Sequence, residues 1–226
     1  MATAQVLADE ISRIGGIPPS TIRTIARRLG EASILPRGGR GKPPQELSAR
    51  ECARLLVGTM RIADGIHGAA ARVDQLVHEV ERLRCQGKLS VAENDSLEAL
   101  DAPIAVVEPG SFIEQLASLI KRLSTDEKPR LRQVVGAVGL TTAPNRLWGW
   151  VELRPPWEQL EGDGPHVSRA SGSTRVIFGR HDFDYSGLTR EVRITSEALC
   201  EIAAAWRRGE LLTEEGHASR GGPRRG

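Results

Sequence analysis

Residues 15–19, with the sequence Gly-Gly-Ile-Pro-Pro, restrict the fold of this chain more than any other segment. A glycine pair readily takes the left-handed or open backbone that ends a helix. A proline is well placed in the first turn of a helix, where its missing N–H has no intrahelical partner. The segment therefore predicts two separate helices in close succession, over residues 3–14 and 19–30.

Hydrophobic residues on both sides of this turn recur at the spacing of amphipathic helices. The inward-facing set is Leu7, Ile11 and Ile14 in the first helix and Ile22, Ile25 and Leu29 in the second. The opposite face of the second helix is polar and cationic, with Ser20, Thr21, Arg23, Thr24, Arg27 and Arg28. Two short helices of this kind are typical of a helix-turn-helix, whose second helix reads the major groove of DNA.

Positive charge is concentrated at the start of the chain. Residues 1–61 contain ten Lys and Arg against five Asp and Glu, a net charge of +5. The whole chain carries only +2, so the remaining residues sum to −3. A basic segment on a mildly acidic body suits attraction to phosphates, and a basic surface without a partner is the alternative interpretation.

Four motifs follow one another in this segment: Gly16–Arg23 (GIPPSTIR), Ala32–Pro36 (ASILP), the basic Arg37–Lys42 and Leu47–Glu51 (LSARE), which includes the capping box Ser48–Glu51. Their order resembles that of the MerR-type winged-helix family. The resemblance implies a winged helix-turn-helix domain over residues 1–61. It also implies that Arg23, Arg27 and Arg28 face DNA from the recognition helix, while Arg37, Arg40 and Lys42 contact the DNA backbone from the wing. The rest of the chain loosely resembles helix-turn-helix proteins of prophage regions.

Residues 62–124 are predicted to be a helical connector or oligomerisation region. A helix over 69–86 has an apolar seam formed by Val73, Leu76, Val80 and Leu83, and a second helix spans about 112–123. The seam covers only about two heptads, which is too short for an unaided coiled coil. It either packs on the 112–123 helix within one subunit or contributes to a dimer interface. We favour the dimer, because a module of this size usually reaches useful specificity when paired on DNA.

The last part of the chain is predicted to be a small antiparallel sheet plus a helix, over residues 125–210. Three runs, at about 132–139, 146–153 and 174–182, are read as strands. A fourth run, at 189–194, alternates apolar and charged residues and leads into a helix at about 196–208. Residues 102–107 are read as a strand or linker, and 211–226 as a disordered basic tail. The chain as a whole is therefore expected to be α+β.

The sequence contains no pattern typical of a catalytic, cofactor or metal site. Its histidines do not cluster, and Cys52, Cys85 and Cys200 have neither disulfide nor zinc spacing. Unpaired cysteines suit a reducing cytoplasm, which is the expected location. No apolar run has the roughly 18–20 residues of a membrane span, and no basic secretion signal opens the chain. Trp148 and Trp150 could line a ligand pocket, although packing of the Trp206 helix on the sheet explains them more simply.

We therefore expect a sequence-specific, non-enzymatic protein that binds double-stranded DNA as a dimer, such as a bacterial or phage transcription regulator. Three alternatives stay open. A phage small-terminase subunit would form a ring of about eight or more copies, whereas a regulator would be a dimer. An interaction adaptor would show no salt-dependent DNA binding. An enzyme on the tryptophan-bearing sheet has no candidate nucleophile.

Replacement of Arg40 and Lys42 by glutamine tests the predicted wing. Contacts from its flexible Gly/Pro frame should reach the DNA backbone and carry little sequence preference. Gel-shift titrations should show affinity falling about equally for a specific and a random duplex. A loss confined to the specific duplex would show instead that the wing reads bases.

Overall fold

The computed structural model describes residues 2–37, 45–63, 72–90, 110–125, 128–143, 146–154, 174–179 and 190–218. The helices in these ranges are α1 (Ala4–Gly15), α2 (Pro19–Glu31), α3 (Ala49–Ala63), α4 (Val73–Glu81), α5 (Phe112–Leu123), α6 (Lys128–Val134) and α7 (Ser196–Ala218). The strands are β1 (Cys85–Ser90), β2 (Val135–Ala143), β3 (Arg146–Leu153), β4 (Thr174–Phe178) and β5 (Arg190–Thr195). The predicted mixture of helix and antiparallel sheet is confirmed.

The turn between α1 and α2 has the geometry that its glycines and prolines predict. Gly16 takes the left-handed conformation, with φ 64°, and its N–H donates to the carbonyl of Ser12. Pro19 then occupies the first turn of α2. The turn keeps α1 and α2 as separate helices, and they pack against each other through their apolar faces.

The strands form one antiparallel sheet in the order β1-β4-β3-β2-β5. Because side chains alternate along a strand, the sheet has two different faces. The inner face adds aliphatic side chains and Phe178 to the main core, with Val138, Leu140, Val151, Leu153 and Val176. The outer face carries a separate buried cluster of Ala137, Trp148, Trp150 and Ile177.

Several predicted boundaries were wrong. The helix predicted over 69–86 ends at Glu81, and residues 85–90 form β1, whose partner β4 lies far along the chain. The strand predicted over 132–139 begins only at Val135, because α6 precedes it. Helix α7 continues to Ala218, through part of the predicted disordered tail. The possible strand at 102–107 and the rest of the tail lie outside the described residues.

One hydrophobic core joins the N-terminal helices to the C-terminal sheet and helix. Its members run from Ala2 to Trp206, so the boundaries expected at residues 61 and 124 do not separate independent cores. Helix α7 packs against α1 and α5 as well as the sheet. The buried indole of Trp206 donates a hydrogen bond to the carbonyl of Leu47, 2.7 Å away, just before α3. The basic N-terminal segment is thereby tied to the end of the chain.

The apolar seam of α4 is part of this core, which corrects the favoured dimer interface. Val73, Leu76 and Val80 are at most 2% exposed within a single subunit. Helix α4 lies against α3 and α5, as the intrasubunit alternative required. Leu83 falls outside the helix and contacts Gly179 at the end of β4. A seam already buried in this way cannot pair with a second subunit while the fold is intact.

Aspartate at Leu76 and Val80 should therefore unfold the protein rather than release a folded monomer. Each uncompensated buried carboxylate costs on the order of 3–5 kcal/mol, comparable with the whole stability of a domain. Circular dichroism against temperature, combined with light scattering, measures both outcomes. Gln75→Asp is the matched control, since Gln75 is exposed on the same helix, and its thermal transition should barely move. A folded, monomeric Leu76→Asp/Val80→Asp variant would contradict the intrasubunit assignment.

Candidate nucleic-acid interface

Helix α2 is divided lengthwise into a buried face and an exposed face. Ile22, Ile25 and Leu29 are completely buried against the neighbouring helices. The arginines predicted to face DNA lie on the other side, where the side chains of Arg23, Arg27 and Arg28 are 50%, 67% and 52% exposed. The structure therefore brings the three guanidinium groups of α2 to one accessible surface, as the helical spacing predicted.

The exposed arginines of α2 have acidic partners on the same surface. Arg23 Nη2 lies 2.7 Å from Asp9 Oδ1, which links α2 to α1. Glu31 is shared: its carboxylate oxygens lie 3.8 Å from Arg27 Nε and 3.7 Å from Arg28 Nη1. Exposed pairs of this kind contribute about 0–1 kcal/mol each, so they add little to the stability of the fold.

The hydroxyl residues of the predicted site lie near the N-terminus of α2. Ser20 is exposed, and its backbone carbonyl accepts a hydrogen bond of 2.9 Å from the hydroxyl of Thr24. Pro18 occupies the N-cap position without a side-chain hydrogen bond to the first turn. Thr21 is partly exposed, and its backbone N–H donates to the carbonyl of Pro18. Ser20 therefore lies one turn before Arg23 and Thr24 on the exposed face.

Arg37, predicted to contact DNA from the wing, supports the end of α2. Its Nε donates to the carbonyl of Gly30 at 2.9 Å, and its Nη2 donates to the carbonyl of Glu31 at 2.6 Å. Carbonyls in the last turn of a helix lack intrahelical donors, so a cation is well placed there. Sequence reasoning missed this capping role. Arg40 and Lys42 lie outside the described residues.

A second residue that sequence reasoning missed is Arg54 on α3. Its Nη1 donates to the carbonyl of Ile34 at 3.0 Å, and its Nε and Nη2 donate to Glu81 Oε1 at 2.9 and 2.7 Å. The guanidinium therefore fixes the turn after α2 to both α3 and α4. No local pattern signals this role, since Glu81 lies 27 residues away in the chain.

An open cleft runs between α2 and the segment that follows it. Its volume is about 530 Å³, and its described lining consists of Ala4, Ala26, Arg27, Gly30, Glu31, Pro36 and Arg37. Charged groups on its walls are thus the guanidiniums of two arginines and one carboxylate. The cleft connects the exposed face of α2 to the start of the predicted wing.

A second cavity, of about 310 Å³, lies between α1, α3, β5 and α7 and is mainly aliphatic. The hydroxyl of Thr59 donates to the carbonyl of Leu56, and Thr195 Oγ1 accepts from the N–H of Ala198. Arg193, which also borders the cavity, donates to Glu152. The described lining residues bring together no acid–base pair.

The described residues also contain no cluster of three His, Cys, Asp or Glu side chains able to hold a metal ion. Burial raises the pKa of the Cys52 thiol to about 12, so this group stays protonated at neutral pH. Among the helices that the structure describes, none combines the length and apolar character needed to cross a membrane.

Comparison of the chain with protein-family models, with curated proteins and with solved structures found no match. The function of the α2 surface therefore has to be inferred from its own residues.

Proposed function

We propose that this protein binds double-stranded DNA in a sequence-specific manner and regulates transcription. The α1–α2 pair acts as the helix-turn-helix of a MerR-like winged module, and α2 is its recognition helix. The single observation that supports this most is the division of α2, whose apolar face is fully buried while its other face exposes three arginines. A helix fixed on one side and cationic on the other meets the requirement for docking in the major groove.

Residues of the exposed face divide naturally into two roles. The hydroxyls of Ser20, Thr21 and Thr24 and the guanidinium of Arg23 lie in the first half of α2. This half enters the groove most deeply in helix-turn-helix complexes. They are the candidates for hydrogen bonds to base edges. Arg27 and Arg28 lie in the second half, where Arg27 borders the cleft, and bind backbone phosphates. Arg37 keeps the end of α2 in place and so positions this surface.

We further propose that two copies act together on a repeated site in the cytoplasm. A single module of this size usually contacts too few base pairs for useful specificity. Since the α4 seam is buried within the subunit, the dimer uses a different surface.

Replacement of both Arg27 and Arg28 by alanine tests the proposed interface. The loss of two phosphate contacts should weaken DNA binding from several-fold to a hundredfold, about 1–3 kcal/mol. Binding by the unmodified protein should also fall steeply between two salt concentrations, because phosphate contacts release counterions. Fluorescence anisotropy or gel-shift titration with genomic fragments selected by the protein itself measures both effects.

The matched control removes two arginines outside α2. Arg84 on the segment before β1 and Arg132 on α6 are both exposed, so the Arg84→Ala/Arg132→Ala variant has the same net charge as the test variant. Its affinity should stay within about threefold of the unmodified protein, because these arginines lie outside the proposed interface. Equal losses in the two variants would show that the protein attracts DNA through net charge alone. Affinity unaffected by Arg27→Ala/Arg28→Ala or by salt would refute the proposed function.

A further inference from the structure

Glu31 occupies a position that helix stability does not explain. It is the last residue of α2, where the negative end of the helix dipole disfavours a carboxylate. Its side chain is 56% exposed and therefore contributes little by burial. What it does contact are two of the arginines proposed to bind phosphate, Arg27 and Arg28.

The two contacts differ from the other ion pair on this surface. Arg23 donates a hydrogen bond of 2.7 Å to Asp9 on a different helix, so that pair also joins two elements. The contacts of Glu31 are 3.8 and 3.7 Å long, lie within one helix and are loose ion pairs. A loose pair on a single helix adds little to the fold, but it places one negative charge between two cations.

We propose that Glu31 is an intramolecular competitor for DNA phosphate and thereby sets the affinity of α2. This inference rests on the proposed function, since it assigns a role within the same interface. In the free protein the carboxylate draws both guanidiniums toward the end of α2. When DNA docks, a backbone phosphate takes over Arg27 and Arg28, so that both pairs with the carboxylate are lost. The loss of these pairs reduces affinity.

Such a competitor is useful to a sequence-specific protein. Phosphate contacts strengthen binding to every DNA sequence alike, whereas base contacts distinguish one sequence from another. A carboxylate that weakens only the phosphate contacts lowers binding to random DNA without touching the base-reading half of α2. Glu31 thus lowers the affinity for specific and random duplexes by the same factor and leaves their discrimination to the base contacts, so its removal should increase affinity for any duplex.

The test variant is Glu31→Gln, which keeps the shape of the side chain and removes its charge. Affinity at low salt should rise about threefold to tenfold for a specific and a random duplex alike. The gain should shrink as salt is raised, because charge interactions at an exposed surface are screened within about 10 Å at 0.1 M. The thermal transition should be unchanged or slightly higher, since a carboxylate leaves the unfavourable end of the helix. Fluorescence anisotropy at two or more salt concentrations measures these effects.

Glu191→Gln is the matched control. Glu191 is also an exposed glutamate paired with an arginine, but it lies on β5, where it contacts Arg175 at 3.0 Å on the outer face of the sheet. Its substitution should change DNA affinity by less than twofold. An equal gain in this control would overturn the proposal, because net charge alone would then explain the effect.

A double-mutant cycle separates competition from simple repulsion. If Glu31 acts by holding Arg27 and Arg28, its substitution should bring no gain when both arginines are already alanine. A full gain in that background would overturn the proposal. If the unmodified protein binds DNA clearly and Glu31→Gln binds it with the same affinity, this inference alone is overturned. Absence of salt-dependent DNA binding by both proteins would overturn the proposed function as well.

Discussion

The close approach of three helices at Gly58 is the contact on which the geometry of this protein depends. A Cβ atom at this position of α3 would lie 2.9 Å from Ile25 Cγ2 on α2 and 2.9 Å from Val73 Cγ2 on α4. Only a residue without a side chain leaves room for both neighbours. Because Ile25 is the centre of the buried face of α2, this contact also determines the orientation of α2 on its neighbours. That orientation leaves the arginine face exposed.

Two polar contacts extend this packing to the rest of the chain. Arg54 joins the turn after α2 to α3 and α4, and the indole of Trp206 joins α7 to the backbone of Leu47. A buried hydrogen bond of this kind is costly to break, because the carbonyl of Leu47 would be left without a donor. The N-terminal segment is therefore not a module attached by a linker. Its orientation is coupled through α7 to the sheet at the other end of the chain.

Features that depend on neighbouring residues could be predicted from the sequence. The glycine turn at Gly16 and the capping box of Ser48 and Glu51 are local hydrogen-bonding patterns, and both are present. A second capping box, formed by Ser111 and Glu114, begins α5. The same serine amide and hydroxyl lower the pKa of the Glu114 carboxyl, because both donate to its charged form. The strand Arg146–Leu153 was also predicted correctly, since its bounds can be read from the residues of the run itself.

Features that depend on distant partners could not be predicted. Strand β1 forms because its backbone pairs with β4, roughly 90 residues later in the chain. The helical spacing of apolar residues before β1 gives no local sign that the helix ends at Glu81. The α4 seam has the pattern of a dimer interface, but only the presence of α3 and α5 shows that its partners are within the subunit. Arg37 was predicted to bind phosphate because it is a cationic residue in a basic segment. Its observed role, capping the end of α2, depends on the direction that the chain takes after Glu31. In each case the missing information is a contact far along the chain or a backbone direction.

Two kinds of arginine among the described residues bear on the role of α2. Arg54, which is partly buried, and Arg207 donate to backbone carbonyls, so the fold itself accounts for them. Arg27 and Arg28 are more than half exposed, and within the described part of the chain their ion pairs are with Glu31, at distances beyond a hydrogen bond. A long cationic side chain held this loosely keeps most of its conformational freedom and adds little to stability. Binding of an anion would restrict that freedom, and the phosphate contact would have to compensate for it. The fold therefore explains the buried face of α2, and the exposed arginines on its other face are the groups that the proposed interface assigns to a negatively charged partner.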